Sequence, residues 1–140
     1  MKNITILVSV FVLSLSFLNV NIFAAKKISP MTVEGTKSVT TDEAKKLFDN
    51  GALFIDVRSN KAWAAGRIAD AVLLDIKSKF SEQNMLAEMK KGDPAVIYCN
   101  GETCLRSAKA CKKAVGWGFT NIQYYRDGYP AWKKAGYPVE

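Results

Sequence analysis

Histidine is absent from the 140 residues of this chain. Its absence excludes the Ser-His-Asp and Cys-His arrangements that activate many enzymatic nucleophiles, and it removes the commonest zinc ligand. The chain also lacks a run of basic residues interleaved with aromatic residues, although its formal net charge is +7. We therefore expect no nucleic-acid partner, no metal site and no other cofactor.

Cysteine is scarce and odd in number, with only three residues. The start of the chain predicts export, because a basic Lys2 precedes an apolar run over residues 4–23 that closes on Ala24 and Ala25. We interpret residues 1–25 as a signal peptide, with an uncleaved membrane anchor as the alternative. Cleavage would leave a periplasmic protein with no membrane partner. Disulfides form in that oxidising compartment, so an odd number of cysteines has to be explained.

The remainder of the chain alternates short apolar runs with helical patterns. Residues 26–37 are polar and contain Pro30 and Gly35, which is typical of an N-terminal arm or linker. Thr40 and Glu43 then fit a capping box at the start of a helix. Further helices are predicted over 82–91, 106–117 and 130–135, and buried strands over 52–56, 71–75, 95–99 and 121–125. This alternation predicts an α/β domain over residues 38–140, with helices on both faces of an open parallel sheet.

The segment YCNGETCLRS begins with the last two residues of the third predicted strand and carries two of the cysteines. Ligands of open parallel sheets bind at the carboxyl ends of the strands, where Cys99 and Asp56 are expected. Gly101 lets the chain bend, and the helix from about Arg106 directs its positive end at the loop. The helix dipole, the loop N–H groups and Arg106 would favour the Cys99 thiolate, which gives an activated nucleophile without histidine. The alternative is that Cys99 is a small buried apolar residue.

Three ordered segments resemble the signatures of the rhodanese family. They are Phe54–Arg58 followed by Trp63 and Gly66–Asp75, then Val96–Ala110, then Gly118–Pro138. The resemblance covers Ser38–Pro138 and implies a rhodanese-like sheet of about five strands.

This resemblance implies sulfurtransferase chemistry. Cys99 would take a sulfane sulfur from a small anionic donor such as thiosulfate, and a thiophilic acceptor would remove it from the Cys99 persulfide. The acceptor would be cyanide, another thiol or a protein partner in sulfur or redox chemistry. Asp56 and Arg58 are expected to form a structural ion pair near the site, and Ser107 to donate a hydrogen bond as the helix cap. The residues expected to bind substrate are Asn100, Gly101, Glu102, Thr103, Leu105, Arg106 and Ser107.

The chain departs from the family pattern at two places. Arg67 stands where a histidine is usual, and Ala69-Asp70 replaces the usual Pro-Gly. The active loop is also longer than the common form. Six residues separate Cys99 from Arg106, whereas related phosphatases have five, so an enzyme of phosphate or arsenate esters is a weaker hypothesis.

The longer loop contains Cys104, for which three interpretations stay open. Cys104 resolves a Cys99 persulfide or sulfenate by closing a disulfide, or it is itself the nucleophile, or it is inert. The function hypotheses are accordingly a sulfurtransferase and, as the alternative, a redox-active or non-catalytic module that uses a Cys99–Cys104 dithiol. Cys111 falls on the helix after the loop and is expected to face the core.

Overall fold

The computed structural model describes residues 24–140. The signal peptide expected over residues 1–25 lies outside the described residues except for its last two. Within the described part of the chain, no helix is both long enough and apolar enough to span a membrane.

A five-stranded sheet, parallel throughout, organises the domain, with strand order β1-β5-β4-β2-β3. The strands are β1 (Lys37–Ser38), β2 (Leu53–Asp56), β3 (Val72–Leu73), β4 (Ala95–Tyr98) and β5 (Ile122–Tyr125). Central strand β4 is buried at every position, and a strand covered on both faces has a continuous apolar sequence. The predicted α/β architecture with a rhodanese-like parallel sheet is confirmed.

Helices follow the strands and cover the sheet. They are α1 (Thr41–Asp49), α2 (Asn60–Ala64), α3 (Glu82–Glu88), α4 (Arg106–Gly116) and α5 (Gly128–Lys134). The predicted capping box starts α1: the Glu43 N–H donates to Thr40 Oγ1 at 3.2 Å, and the Thr40 N–H donates to the Glu43 carboxylate at 2.8 Å. These two bonds satisfy N–H groups that have no partner inside the helix.

The sheet separates two apolar cores. On one face, Met85 of α3 and Ala110 of α4 pack against alternate residues of β2 and β4. On the other face, Ala44 of α1 and Trp132 of α5 pack against the intervening residues of the same strands. Because successive side chains of a strand point to opposite faces, both cores draw on the same short strands.

The edges of the sheet differ from the sequence prediction. The strand predicted over 71–75 is shorter, since only Val72–Leu73 pairs with β2. β1 lies at the junction of the expected arm and domain, where no apolar pattern indicates a strand. It forms because Lys37 and Ser38 pair with distant residues of β5. A two-residue edge strand is specified by its neighbour rather than by its own periodicity.

The N-terminal arm packs against the domain from Ser29 onward. Ser29 is 3% exposed and Val33 is 7% exposed. The Tyr124 hydroxyl donates to the Pro30 carbonyl at 3.0 Å. The Ser29 N–H donates to the Glu102 carbonyl at 2.7 Å, which places the arm beside the loop that follows β4.

Candidate active site

Cys99 is the first residue after β4, and its side chain is almost fully buried, with 1% of the residue exposed. The chain turns away from the sheet at Gly101, whose φ of 104° favours glycine. It then enters α4 at Arg106. The Tyr129 N–H donates to the Cys99 carbonyl at 3.0 Å and fixes the start of the loop. The strand–loop–helix arrangement is therefore the one expected from the sequence.

A disulfide joins Cys99 to Cys104 within this loop, with the two Cα atoms 6.4 Å apart. Cys99 is buried, whereas Cys104 is partly exposed, so the two sulfurs differ in their access to solvent. The third cysteine, Cys111, is fully buried in the core below α4, as predicted. Burial raises the pKa of the Cys111 thiol well above its ordinary value, which makes it a poor nucleophile.

The loop N–H groups do not all form the expected cradle. The Cys104 N–H donates to the Gly101 carbonyl at 3.0 Å, so this group is engaged within the loop. The capping role expected of Ser107 is wrong, because Leu105 is the N-cap residue and no side chain caps the helix. Ser107 lies inside the first turn, where its hydroxyl is buried and has no hydrogen-bond partner among the described residues.

Asp56 and Arg58 form a buried ion pair at the carboxyl end of β2, with 2.7 Å between Oδ2 and Nη2. Arg58 Nη2 also donates to the Gly66 carbonyl at 2.7 Å, and Nη1 donates to Asn100 Oδ1 at 3.3 Å. Burial alone would lower the pKa of Arg58, but the hydrogen bonds and the charge of Asp56 outweigh it and raise the pKa above its usual value. The pair thus connects β2 to the loop through the Arg58 guanidinium.

The expected substrate-binding residues lie on two sides of the loop. On one side, a shallow cavity of about 360 Å³ is lined by Asn100, Gly101, Glu102 and Thr103 together with residues of α5. On the other side lies a larger groove of about 630 Å³, which we call the basic groove. It is lined by Ile76, Lys77, Arg106, Lys109, Lys112 and Lys113. No carboxylate is among these described lining residues, so the basic groove presents positive charge along α4, which starts two positions after Cys104. Leu105 lines a third, neighbouring groove.

Three residues that sequence reasoning missed hold the loop in place. Ser29 donates both its N–H and its hydroxyl to the Glu102 carbonyl, each at 2.7 Å. Arg126 bonds the Ser29 carbonyl at 3.2 Å and pairs with the Glu102 carboxylate at 3.3 Å. Gly128 lies under the loop, where an added Cβ would meet the Cys99 carbonyl directly. Only Gly128 leaves a sequence signal, in its Asp-Gly pair; the other two depend on contacts between distant segments.

The described residues contain no group of three or more His, Cys, Asp or Glu side chains that could hold a metal. The site combines a cysteine at the carboxyl end of a central strand, a second cysteine that forms a disulfide with it, and the basic groove that starts at Arg106. The fold and this site define an α/β domain with a cysteine loop between a parallel strand and a helix.

Comparison with known proteins identifies the family. The model of the Rhodanese-like domain matches residues 40–135, and the chain belongs to this family. It is 30% identical over 104 residues to the thiosulfate sulfurtransferase GlpE of Pseudomonas syringae pv. syringae, covering 74% of this chain and 92% of the relative. It is 25% identical over 124 residues to the Arabidopsis thaliana mitochondrial protein HIGH ARSENIC CONTENT 1, covering 82% and 72%.

The fold also matches a solved structure. A rhodanese-like domain from Anabaena sp superposes with a TM-score of 0.64 at 21% identity, covering 74% of this chain and 77% of that one. The resemblance drawn from the sequence signatures is thereby confirmed.

Proposed function

We propose that this protein is a sulfurtransferase that moves a sulfane sulfur from a donor such as thiosulfate to a thiophilic acceptor through a persulfide on Cys99. The observation that carries the proposal is the position of Cys99 at the carboxyl end of β4, at the start of a loop that leads into α4. The likeness to proteins named thiosulfate sulfurtransferase, at about 30% identity, supports the same chemistry.

The charge around the loop supports an anionic donor. Arg106, two positions after Cys104, is the first residue of α4 and lines the basic groove together with four lysines. A cluster of cations with no lining carboxylate raises the local concentration of a dianion such as thiosulfate. In the reduced protein the Cys99 thiolate attacks the outer sulfur of thiosulfate. The sulfur–sulfur bond breaks, and sulfite leaves with the bonding electron pair.

We further propose that the protein works after export, in the periplasm. The support is the basic, apolar and small-residue order of residues 1–25. In an oxidising compartment the Cys99–Cys104 disulfide has to be reduced before the Cys99 thiolate is available. A thiol reductant or a redox partner protein is therefore part of the proposal.

The test measures sulfite release from thiosulfate by the protein in the presence of excess thiol reductant, which keeps the loop reduced and serves as the sulfur acceptor. Cys99→Ser is expected to reduce the rate by at least roughly 10⁴-fold, because removal of an enzyme's nucleophile has effects of this size. Cys111→Ser is the matched control, since that thiol lies in the core and its loss leaves the nucleophile in place. If Cys99→Ser retains the activity while Cys104→Ser loses it, the nucleophile is Cys104 and our assignment is wrong.

A second candidate function is favoured by the disulfide itself. A redox module would exchange the Cys99–Cys104 disulfide with partner thiols and transfer no sulfur. Reversible reduction of this disulfide, together with no sulfite release from thiosulfate by the reduced protein, would support the redox module and rule out the sulfurtransferase.

A further inference from the structure

The disulfide shows that the Sγ atoms of Cys99 and Cys104 can come within bonding distance of each other. Cys99 and Cys104 are separated by five positions, and their Cα atoms stand 6.4 Å apart, a separation usual for disulfides. The two sulfurs therefore reach each other with β4 and α4 both formed. Closing the bond requires no rearrangement of the sheet.

Hydrogen bonds at three of its carbonyl groups hold the backbone of the loop in place. The Cys99 carbonyl accepts from Tyr129, the Glu102 carbonyl accepts twice from Ser29, and the Cys104 N–H donates to Gly101. A backbone fixed in this way keeps the Cys104 sulfur close to the Cys99 sulfur after the bond opens. Such a pair reacts as if one partner were present at very high concentration.

Proximity favours Cys104 over any thiol from solution. The disulfide shows that the Cys104 Sγ atom reaches the Cys99 Sγ atom within the loop, with Cys99 left 1% exposed in the closed form. A thiol from solution has to diffuse to that atom, whereas Cys104 is held next to it by the chain. We infer that Cys104 attacks the Cys99 persulfide, so that the domain releases the transferred sulfur as sulfide and closes the Cys99–Cys104 disulfide. This inference rests on the proposed sulfurtransferase function and names how its intermediate is resolved.

The atoms and electrons of this step balance. The Cys104 thiolate forms a bond to Cys99 Sγ, and the bond from Sγ to the outer sulfur breaks. The outer sulfur leaves with the electron pair as hydrosulfide and takes up a proton. Over both steps, thiosulfate and two thiols give sulfite, hydrogen sulfide and one disulfide, so the sulfane sulfur is reduced and the two cysteines are oxidised.

Reopening the site needs an external thiol reductant. Its thiolate attacks the partly exposed Cys104 sulfur rather than the buried Cys99 sulfur, and Cys99 departs as the free thiolate. A second reductant thiol then releases Cys104. The donor-reactive cysteine is thus the first to be regenerated.

The experiment follows both products in a single turnover. Fully reduced protein, freed of reductant and kept anaerobic, is mixed with one equivalent of thiosulfate, and sulfite, sulfide and intact mass are measured. The native sequence is expected to release sulfite and sulfide in equal amounts and to end two hydrogens lighter, as the disulfide. Cys104→Ser is expected to release sulfite alone and to end one sulfur heavier. Cys104→Ala is measured alongside it, and Cys111→Ser is the control that keeps sulfide release.

The outcomes separate the two proposals. Sulfite release with a persulfide that persists in the native sequence overturns the role of Cys104 and leaves the sulfurtransferase intact. Sulfide release by Cys104→Ser at the native rate also overturns it. If neither the native protein nor the Cys104 variants release sulfite, the sulfurtransferase proposal fails, and the resolution step fails with it.

Discussion

The two ends of the parallel sheet carry cavities of similar size and opposite charge. At the carboxyl end, the basic groove of about 630 Å³ includes Arg106, which lies two positions after Cys104 of the Cys99–Cys104 disulfide. At the amino end, a cavity of about 550 Å³ is lined by Asp70, Glu88 and Asp93 among apolar residues, with no lysine or arginine among its described lining residues. Cavity size alone does not distinguish the two.

Chemistry distinguishes them. The carboxyl end combines a nucleophilic residue type with cations, and loops there start from fixed strand ends, as in other open α/β sheets. The amino-end carboxylates would repel an anionic sulfur donor. The candidate site at the carboxyl end is therefore marked by the side chains that its loops bring together. We expect equivalent changes at the two ends to have unequal effects.

The largest difference is expected between two carboxylate-to-amide changes. Asp56→Asn leaves the buried Arg58 without its counter-charge and should lower the free energy of unfolding by about 3–5 kcal/mol. Asp49→Asn removes the exposed i,i+4 pair with Lys45 near the amino end and should change it by less than about 0.5 kcal/mol. Urea denaturation of both variants measures the difference. Equal effects would show that the buried pair does not hold the carboxyl end together.

A glycine pair gives the next largest effect. Gly128→Ala puts a Cβ against the Cys99 carbonyl and 2.8 Å from the Gly101 nitrogen, at a φ of +66°. The strained backbone and the overlap together should lower the free energy of unfolding by about 2–4 kcal/mol. Gly51→Ala, at a φ of +81° with no atom within 4 Å of the added Cβ, should cost only about 1 kcal/mol. Denaturation in urea compares them, and a Gly51 effect as large as that of Gly128 would contradict the close contact.

Much of this carboxyl-end scaffold could be predicted from the sequence. The strand before Cys99 is a continuous apolar run, and Thr40 and Glu43 carry their capping signal within four residues, so local patterns suffice there. The clamp of Ser29 on Glu102 spans 73 positions and has no local pattern. The error at Ser107 has a different cause. Residue type indicates a cap, but α4 starts at Arg106 as predicted, so Ser107 is the second residue of the helix and its hydroxyl is buried within the first turn.

A charge-reversal pair tests the electrostatic contrast on activity. Lys109→Glu combined with Lys112→Glu inverts part of the basic groove and should lower kcat/KM for thiosulfate about tenfold at low ionic strength. Added salt should reduce the difference in kcat/KM between the native sequence and this double variant, because it screens exposed charges. The control, Lys46→Glu with Lys90→Glu, makes the same net change at exposed positions outside the basic groove. If both pairs lower kcat/KM equally, net charge rather than the groove attracts the donor.

The smallest expected difference concerns two hydroxyl-to-carbonyl hydrogen bonds. Ser29→Ala removes a partly buried 2.7 Å bond to the Glu102 carbonyl, whereas Thr120→Ala removes an exposed 3.4 Å contact with the Lys91 carbonyl at the amino end. An intramolecular hydrogen bond contributes about 1 kcal/mol, so local opening of the loop should become about fivefold more frequent in Ser29→Ala. Hydrogen exchange of the Cys104 amide, which is bonded to Gly101 inside the loop, reports that opening. Thr120→Ala should leave this exchange rate unchanged. Unchanged exchange in Ser29→Ala would mean that the disulfide and the Tyr129 contact hold the loop without the arm, and the arm would then have no part in positioning Cys104.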